Sequence, residues 1–173
     1  MKTHLPLTRK LFLFSSALIL SAVSLTSCQK EADAADSGDN GNNTTTATMY
    51  SISGSANGAQ MVPSLSVNGT GTISGTYNAD TKVLQYKTNW TSLTGAPTMG
   101  GFFNGAAGTS GTMTGSSWAM GTNLGNSGTY NGQMTLTADQ DNQLKAGTWY
   151  YSLGTAAHTS GEIRGQITAT RIP

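Results

Sequence analysis

The stretch His158-Thr159-Ser160-Gly161-Glu162-Ile163-Arg164 places an imidazole, a carboxylate and a guanidinium within seven positions of a chain in which 10% of residues are charged. Three chemistries are open to such a set. The histidine and the carboxylate could share a proton in hydrolysis, the histidine could ligate a metal, or the carboxylate and the guanidinium could pair. Hydrolysis needs a nucleophile held against a base, and a third group to orient that base. Within residues 49–173 His158 is the only histidine and Glu162 the only glutamate. The relay therefore lacks parts, and no catalytic residue and no enzymatic activity are expected. A zinc or copper site needs several nitrogen or sulfur ligands, so neither a metal nor a cofactor is expected. Pairing fits better. Along an extended strand Glu162 and Arg164 project to the same side, with Cα atoms roughly 6.5–7 Å apart, opposite Ile163 and Ile167. They are expected to form a structural ion pair on the polar face of the last strand.

Two other groupings could bind something. Asp139, Asp141 and Asn142 offer oxygens, but calcium takes six to eight, and the run Asp139-Gln140-Asp141-Asn142 reads as an acidic turn. Among the aromatic residues, Tyr86, Trp90, Trp149 and Tyr151 share parity with apolar neighbours and belong to the core. Tyr150 has the opposite parity, and Phe102, Phe103 and Trp118 lie in glycine-rich surroundings. These four are the candidates for a binding surface, where rings flanked by Asn, Gln and Thr would suit a glycan or a protein partner. Nucleic acid is not an expected partner, since five basic residues after position 48 are offset by four acidic ones and form no patch.

The elements that would hold these residues read as strands. Period-two alternation recurs at 69–77, 83–91, 130–138, 149–153 and 163–169, and helical periodicity is absent. Turn formers separate the runs: Asn57-Gly58, Asn68-Gly69, Asn78-Ala79-Asp80, Gly125-Asn126 and 139–142. Residues 49–173 thus form one all-β domain, an antiparallel Greek-key β-sandwich of immunoglobulin-like or superoxide-dismutase-like type. Large aliphatic residues are scarce, and the three tryptophans, six tyrosines and six methionines of this region must supply much of its buried area.

The segment before it is of another kind. Lys2, Arg9 and Lys10 precede an apolar run from Leu11 to Leu25, which is shorter than the roughly 20 residues of a spanning helix and has the layout of an export signal. The run closes in Leu25-Thr26-Ser27-Cys28, which resembles the bacterial lipobox. Cys28, the single cysteine, is then the lipid-attachment site, residues 1–27 are a lipoprotein signal peptide, and the protein meets the membrane through its N-terminal lipid. Residues 28–48 read as a disordered acidic and polar tether. Gln29 stands where an aspartate would resemble an inner-membrane retention signal, and Lys30-Glu31 with Asp33 and Asp36 looks like the export tag of Bacteroidetes-type surface lipoproteins. The expected location is the outer membrane, on its external face.

Three stretches in order resemble the CHRD domain, a module repeated in chordin and carried by bacterial secreted proteins and lipoproteins. The first is Gly58-Ala59-Gln60-Met61-Val62-Pro63 running on to Asn68-Gly69-Thr70-Gly71. The last is Leu144-Lys145-Ala146-Gly147-Thr148-Trp149-Tyr150-Tyr151 followed by Gly161-Glu162-Ile163-Arg164-Gly165-Gln166-Ile167. The middle stretch departs: Gly101-Phe102-Phe103-Asn104 stands where a His-x-His step is frequent, Met61 where glutamate is common, and Gly154 where a histidine often follows the aromatic strand. The resemblance implies a β-fold and an extracytoplasmic setting, and no established catalysis. The expected function is a lipid-anchored binding or cell-envelope module, with a carbohydrate-binding module as the second reading and a metal-dependent enzyme as a distant third.

Overall fold

The computed structural model describes residues 46–173; the expected signal peptide, Cys28 and nearly all of the expected tether lie outside the described residues. Nine strands follow in chain order: β1 (Met49–Asn57), β2 (Thr70–Asn78), β3 (Val83–Thr91), β4 (Pro97–Asn104), β5 (Thr112–Thr114), β6 (Gly128–Thr135), β7 (Trp149–Thr155), β8 (Ile163–Gln166) and β9 (Thr168–Arg171). A helix, α1 (Ala138–Lys145), separates β6 from β7. The strands join into one antiparallel sheet in the order β5-β4-β7-β8-β1-β2-β3-β6, with β9 also paired to β1. The chain leaves β3, builds β4 and β5 on the far arm, and returns to lay β6 beside β3, a long-range return of Greek-key kind.

The all-β expectation holds, and the two sandwich faces are two arms of a single curled sheet. Their junction is the run 163–171. Its first part pairs with β7, from Leu153↔Ile163 to Tyr150↔Gln166, and its second with β1, from Ser53↔Thr168 to Tyr50↔Arg171. Gly54 and Gly165 allow the close crossing there. A side chain at Gly165 would fall 2.5 Å from the Ser55 carbonyl oxygen, and one at Gly54 equally close to that of Gln166, where no Cβ fits.

Period-two patterning explains the core. Ile73 and Tyr77 of β2 and Leu84, Tyr86 and Trp90 of β3 are buried, while Thr72, Ser74, Gln85 and Lys87 face outward. From the other arm come Phe102, Trp149, Tyr151 and Leu153. Phe102 lies 4.7 Å from Tyr86, 5.1 Å from Trp118 and 5.3 Å from Trp149 between ring centroids. Aromatic rings thus supply the area that few aliphatic residues could, at roughly 25 cal/mol per Å² removed from water.

The helix corrects the reading of 139–142 as a turn. Thr137 caps it: its hydroxyl accepts from Gln140 N at 3.2 Å while the Gln140 side chain accepts from Thr137 N at 2.9 Å, a reciprocal capping box. The eight residues carry one large apolar side chain, Leu144, which leaves no apolar period to detect. Asp141, read as a turn acid, is buried and fastens α1 to the sheet. Its carboxylate accepts from the Tyr77 hydroxyl at 2.8 Å and pairs with Lys82 at 2.9 Å and Lys145 at 2.7 Å.

Burial by itself would raise the Asp141 carboxyl, but the bonds from Lys145, Lys82 and Tyr77 outweigh it and hold the pKa at about 2, below the ordinary 3.8. A depressed carboxyl stabilises the fold above its unfolded pKa and loses that contribution as pH falls toward the folded one. Asp141→Asn should therefore cost about 1–2 kcal/mol at neutral pH. The difference from wild type in urea unfolding should shrink between about pH 4 and pH 2; a pH-independent difference would show that the charge is not the source.

Candidate functional site

The opening segment sits at the β7–β8 hairpin. Every residue of β7 is buried, because one face meets the core and the other is roofed by loops. Thr155 N donates to His158 O at 3.2 Å, and His158 N returns a bond to Thr155 O at 3.1 Å. Gly161 N also reaches His158 O, at 3.0 Å, and Glu162 N bonds to Leu153 O at 2.7 Å. Gly161 has φ +126°, and a Cβ there would lie 2.7 Å from both Met61 Cε and Ser152 Oγ. The φ favours glycine, and the bare Cα lets Met61 and Ser152 close in.

Glu162 is fully buried at the bend before β8. Its Oε1 accepts from Thr94 N at 2.8 Å, and its Oε2 accepts from the hydroxyls of Thr94 at 2.6 Å and Thr155 at 2.7 Å. With both hydroxyl protons directed at Oε2, the 3.0 Å approach of the two threonine oxygens holds no proton of its own. Gly69 leaves room for the group, since a Cβ there would sit 3.0 Å from Oε1. Burial pushes the Glu162 carboxyl up, but the bonds from Thr94 and Thr155, with the nearby His158 contributing, bring it below the usual range. It is ionised at neutral pH, solvated by one amide and two hydroxyls.

Arg164 is 3% exposed and paired to other partners. Nη1 donates to Thr109 O at 2.6 Å and Nη2 to Ala106 O at 2.9 Å, while the guanidinium lies 3.5 Å from the Tyr150 ring centroid. Tyr150 in turn stacks on Phe103 at 5.1 Å and accepts from Gly111 N at 3.0 Å. Burial lowers the Arg164 pKa, and the stacked ring and two carbonyls stabilise the cation.

The expected Glu162–Arg164 ion pair is therefore not formed; the salt bridges among the described residues both go to Asp141. The face opposite Ile163 is not solvated but roofed by the β3–β4 connection, which claims Glu162, and by the loop at 105–111, which claims Arg164. The four aromatic candidates do not make one surface either. Phe102 and Trp118 are core residues at 1% and 6% exposure, because the β4 strand places Phe102 inward and the 115–120 segment folds Trp118 over Tyr86. Tyr150 is buried under Arg164, and Phe103 is half-buried beside it.

His158 lines a shallow depression of about 330 Å³ with Met61, Leu65 and Gly161. The carboxylate nearest it in sequence, Glu162, accepts three hydrogen bonds from Thr94 and Thr155 and so fastens the β3–β4 connection to the hairpin. Gly154 has no room for a larger residue: a Cβ would lie 2.9 Å from His158 O and 3.3 Å from Met99 Cε. Thr94 and the carbonyls of Ala106 and Thr109 were invisible to spacing, being distant in sequence. The Asp141–Lys145 pair carried a legible sign in its i,i+4 separation.

The CHRD domain family model matches residues 52–167, from within β1 to the end of β8, and so covers Glu162 and Arg164. No curated protein and no solved structure matches the chain.

Because the two charges share no partner, their removal should be close to additive. Glu162→Ala orphans one amide and two hydroxyls and should cost about 3 kcal/mol or more, with Glu162→Gln costing less. Arg164→Ala should cost about 2–4 kcal/mol. In urea unfolding, the double variant should show a coupling below about 1 kcal/mol, whereas a true buried ion pair would show about 3–5.

Proposed function

This chain belongs to the CHRD domain family, and from that premise we propose that it is a lipid-anchored extracytoplasmic module that serves the cell envelope by binding rather than by catalysis. The observation that carries the reading is the use of the buried charges. Glu162, Arg164 and Asp141 are each consumed in fastening a loop or helix to the sheet, which leaves the hairpin segment a structural clasp. The N-terminal half of the reading rests on the sequence Leu25-Thr26-Ser27-Cys28 behind an apolar run with a basic front. A peptidase acting before a Cys28 whose thiol already carries lipid through a thioether leaves that residue as the anchored N-terminus, and several acyl chains hold a protein where one would not. The acidic stretch after Cys28 supports delivery to the outer membrane and its external face.

A second reading is favoured by a specific surface. The outward rows of the larger arm run Ser51-Thr76-Gln85-Gln133, Ser53-Ser74-Lys87-Asn131 and Ser55-Thr72-Asn89-Thr129, matched across strands by the ladder register. Eleven of these twelve residues are uncharged hydrogen-bonding side chains, whereas a typical soluble surface is about a quarter to a third charged. A trough of about 700 Å³ lies between the first two rows over Gly75 and Gly132. Such a face suits a neutral glycan better than the four aromatic residues do.

Cys28→Ser should leave the protein unacylated, and a palmitate-labelled mature product still partitioning with membranes would end the lipoprotein reading. Protease added to intact cells should remove the domain, and full protection until lysis would place it on the periplasmic side. On polysaccharide pull-down, Gln85→Ala with Gln133→Ala should weaken retention of the intact chain if the second reading holds; unchanged retention would exclude that face.

A further inference from the structure

The two ends of the sheet are managed differently. At one end β5 is three residues long, a blunted edge. At the other β6 is eight residues long and bound to β3 without a break from Trp90↔Gly128 to Val83↔Thr135. No second strand pairs with β6 among the described residues, and no backbone bond reaches it from the neighbouring segment at 115–124. Soluble proteins protect such an edge with charge, proline, a bulge or a cover. β6 reads Gly128-Thr129-Tyr130-Asn131-Gly132-Gln133-Met134-Thr135 and has none of the first three. A cleft of about 440 Å³ separates it from residues 115–119.

Its sequence is also symmetric in kind about Gly132: threonine, apolar, amide, glycine, amide, apolar, threonine. We propose that β6 is a homodimer interface, in which two copies pair their β6 edges antiparallel about a two-fold axis through Gly132 and continue one sheet into the other. That register sets Thr129 opposite Thr135, Tyr130 opposite Met134 and Asn131 opposite Gln133 of the second copy, each contact made twice. An isologous interface requires such self-complementarity. Directly opposed threonines, amides and a thioether against an aromatic ring are favourable cross-strand pairs. The exposures agree: Thr129, Asn131, Gln133 and Thr135 face solvent, while Tyr130 and Met134 are half-buried along the edge. Tyr130 is held flat against Trp118, with centroids 5.2 Å apart at 7°, so the ring is already ordered before a second copy arrives. At the axis no side chain intervenes, and the ring of Tyr86 fills the place a Cβ of Gly132 would take.

The register is testable by charge. The intact chain in detergent should sediment as a concentration-dependent dimer. Asn131→Lys with Gln133→Lys sets like charges opposite each other twice and should raise the dimer dissociation constant at least about tenfold. Asn131→Lys with Gln133→Glu sets opposite charges against each other and should dimerise at least as tightly as wild type. Crossed disulfides give a second reading that does not depend on the charged variants. In a Cys28→Ser background, Asn131→Cys chains mixed with Gln133→Cys chains should oxidise to the mixed dimer. The 131–133 contact lies within disulfide reach, and the 131–131 diagonal, at about 7–8 Å, does not. A monomer at every concentration, a dimer indifferent to both charge pairs, or equal yields of mixed and like-with-like disulfides would overturn the proposal.

Discussion

A charge buried without a counter-ion must be solvated by dipoles, and in this protein two loops serve as that solvent. Moving an ion out of water costs several kcal/mol even after relaxation. Glu162 recovers it from an amide and two hydroxyls, and Arg164 from two carbonyls and an aromatic face. Each charge therefore dictates where a distant segment lies, the β3–β4 connection in one case and residues 105–111 in the other. Those segments cover the outer face of β7 and β8, and that cover makes β7 a strand buried on both sides. Remove the charges and the loops lose the reason for their positions.

The larger arm obeys a simpler constraint. Its inner rows are rings and branched aliphatics and its outer rows are hydroxyls and amides, a division that follows from the pleat. Gly75 and Gly132 fall on the inner parity, and Gly132 gives its side-chain space to the core ring of Tyr86. The same absence of charge that leaves the face able to hydrogen-bond a neutral ligand leaves its last strand undefended at the edge. One compositional habit, the use of Ser, Thr, Asn and Gln in place of Lys and Glu, has two structural effects.

What could be read in advance tracks the range of the forces involved. Alternation is local, so the strands at 69–77, 83–91, 149–153 and 163–169 and the core places of Trp90, Trp149 and Tyr151 were legible. Helix α1 is also local, but its evidence was the Thr137–Gln140 capping box rather than an apolar period. The fate of Glu162 and Arg164 was not legible, because parity reports which side a residue faces and not what comes to cover that side. Phe102 and Trp118 failed for a related reason: glycine-rich sequence carries no periodicity, and a 36-residue excursion between β3 and β6 folded them inward. Membership of the CHRD family was carried by the stretches around Gly58 and Gly161, which hold glycines at close approaches, Gly58 against Leu65 and Val67 and Gly161 within the hairpin.

The first and last strands of the domain lie side by side, with β1 between β2 and β9 and Ile172 N bonded to Met49 O at 2.8 Å. A chain made from its N-terminus completes β1 first and must hold it unpaired with β9 until residue 171 arrives. The junction strand that ties the two arms is likewise among the last residues delivered. Closure is thus governed by contacts of the greatest sequence separation, which fold slowly, and the domain gains its final rigidity only after β9 has been made. An early release or a C-terminal nick would leave two half-sheets with open edges, so the state most prone to association is the unfinished one.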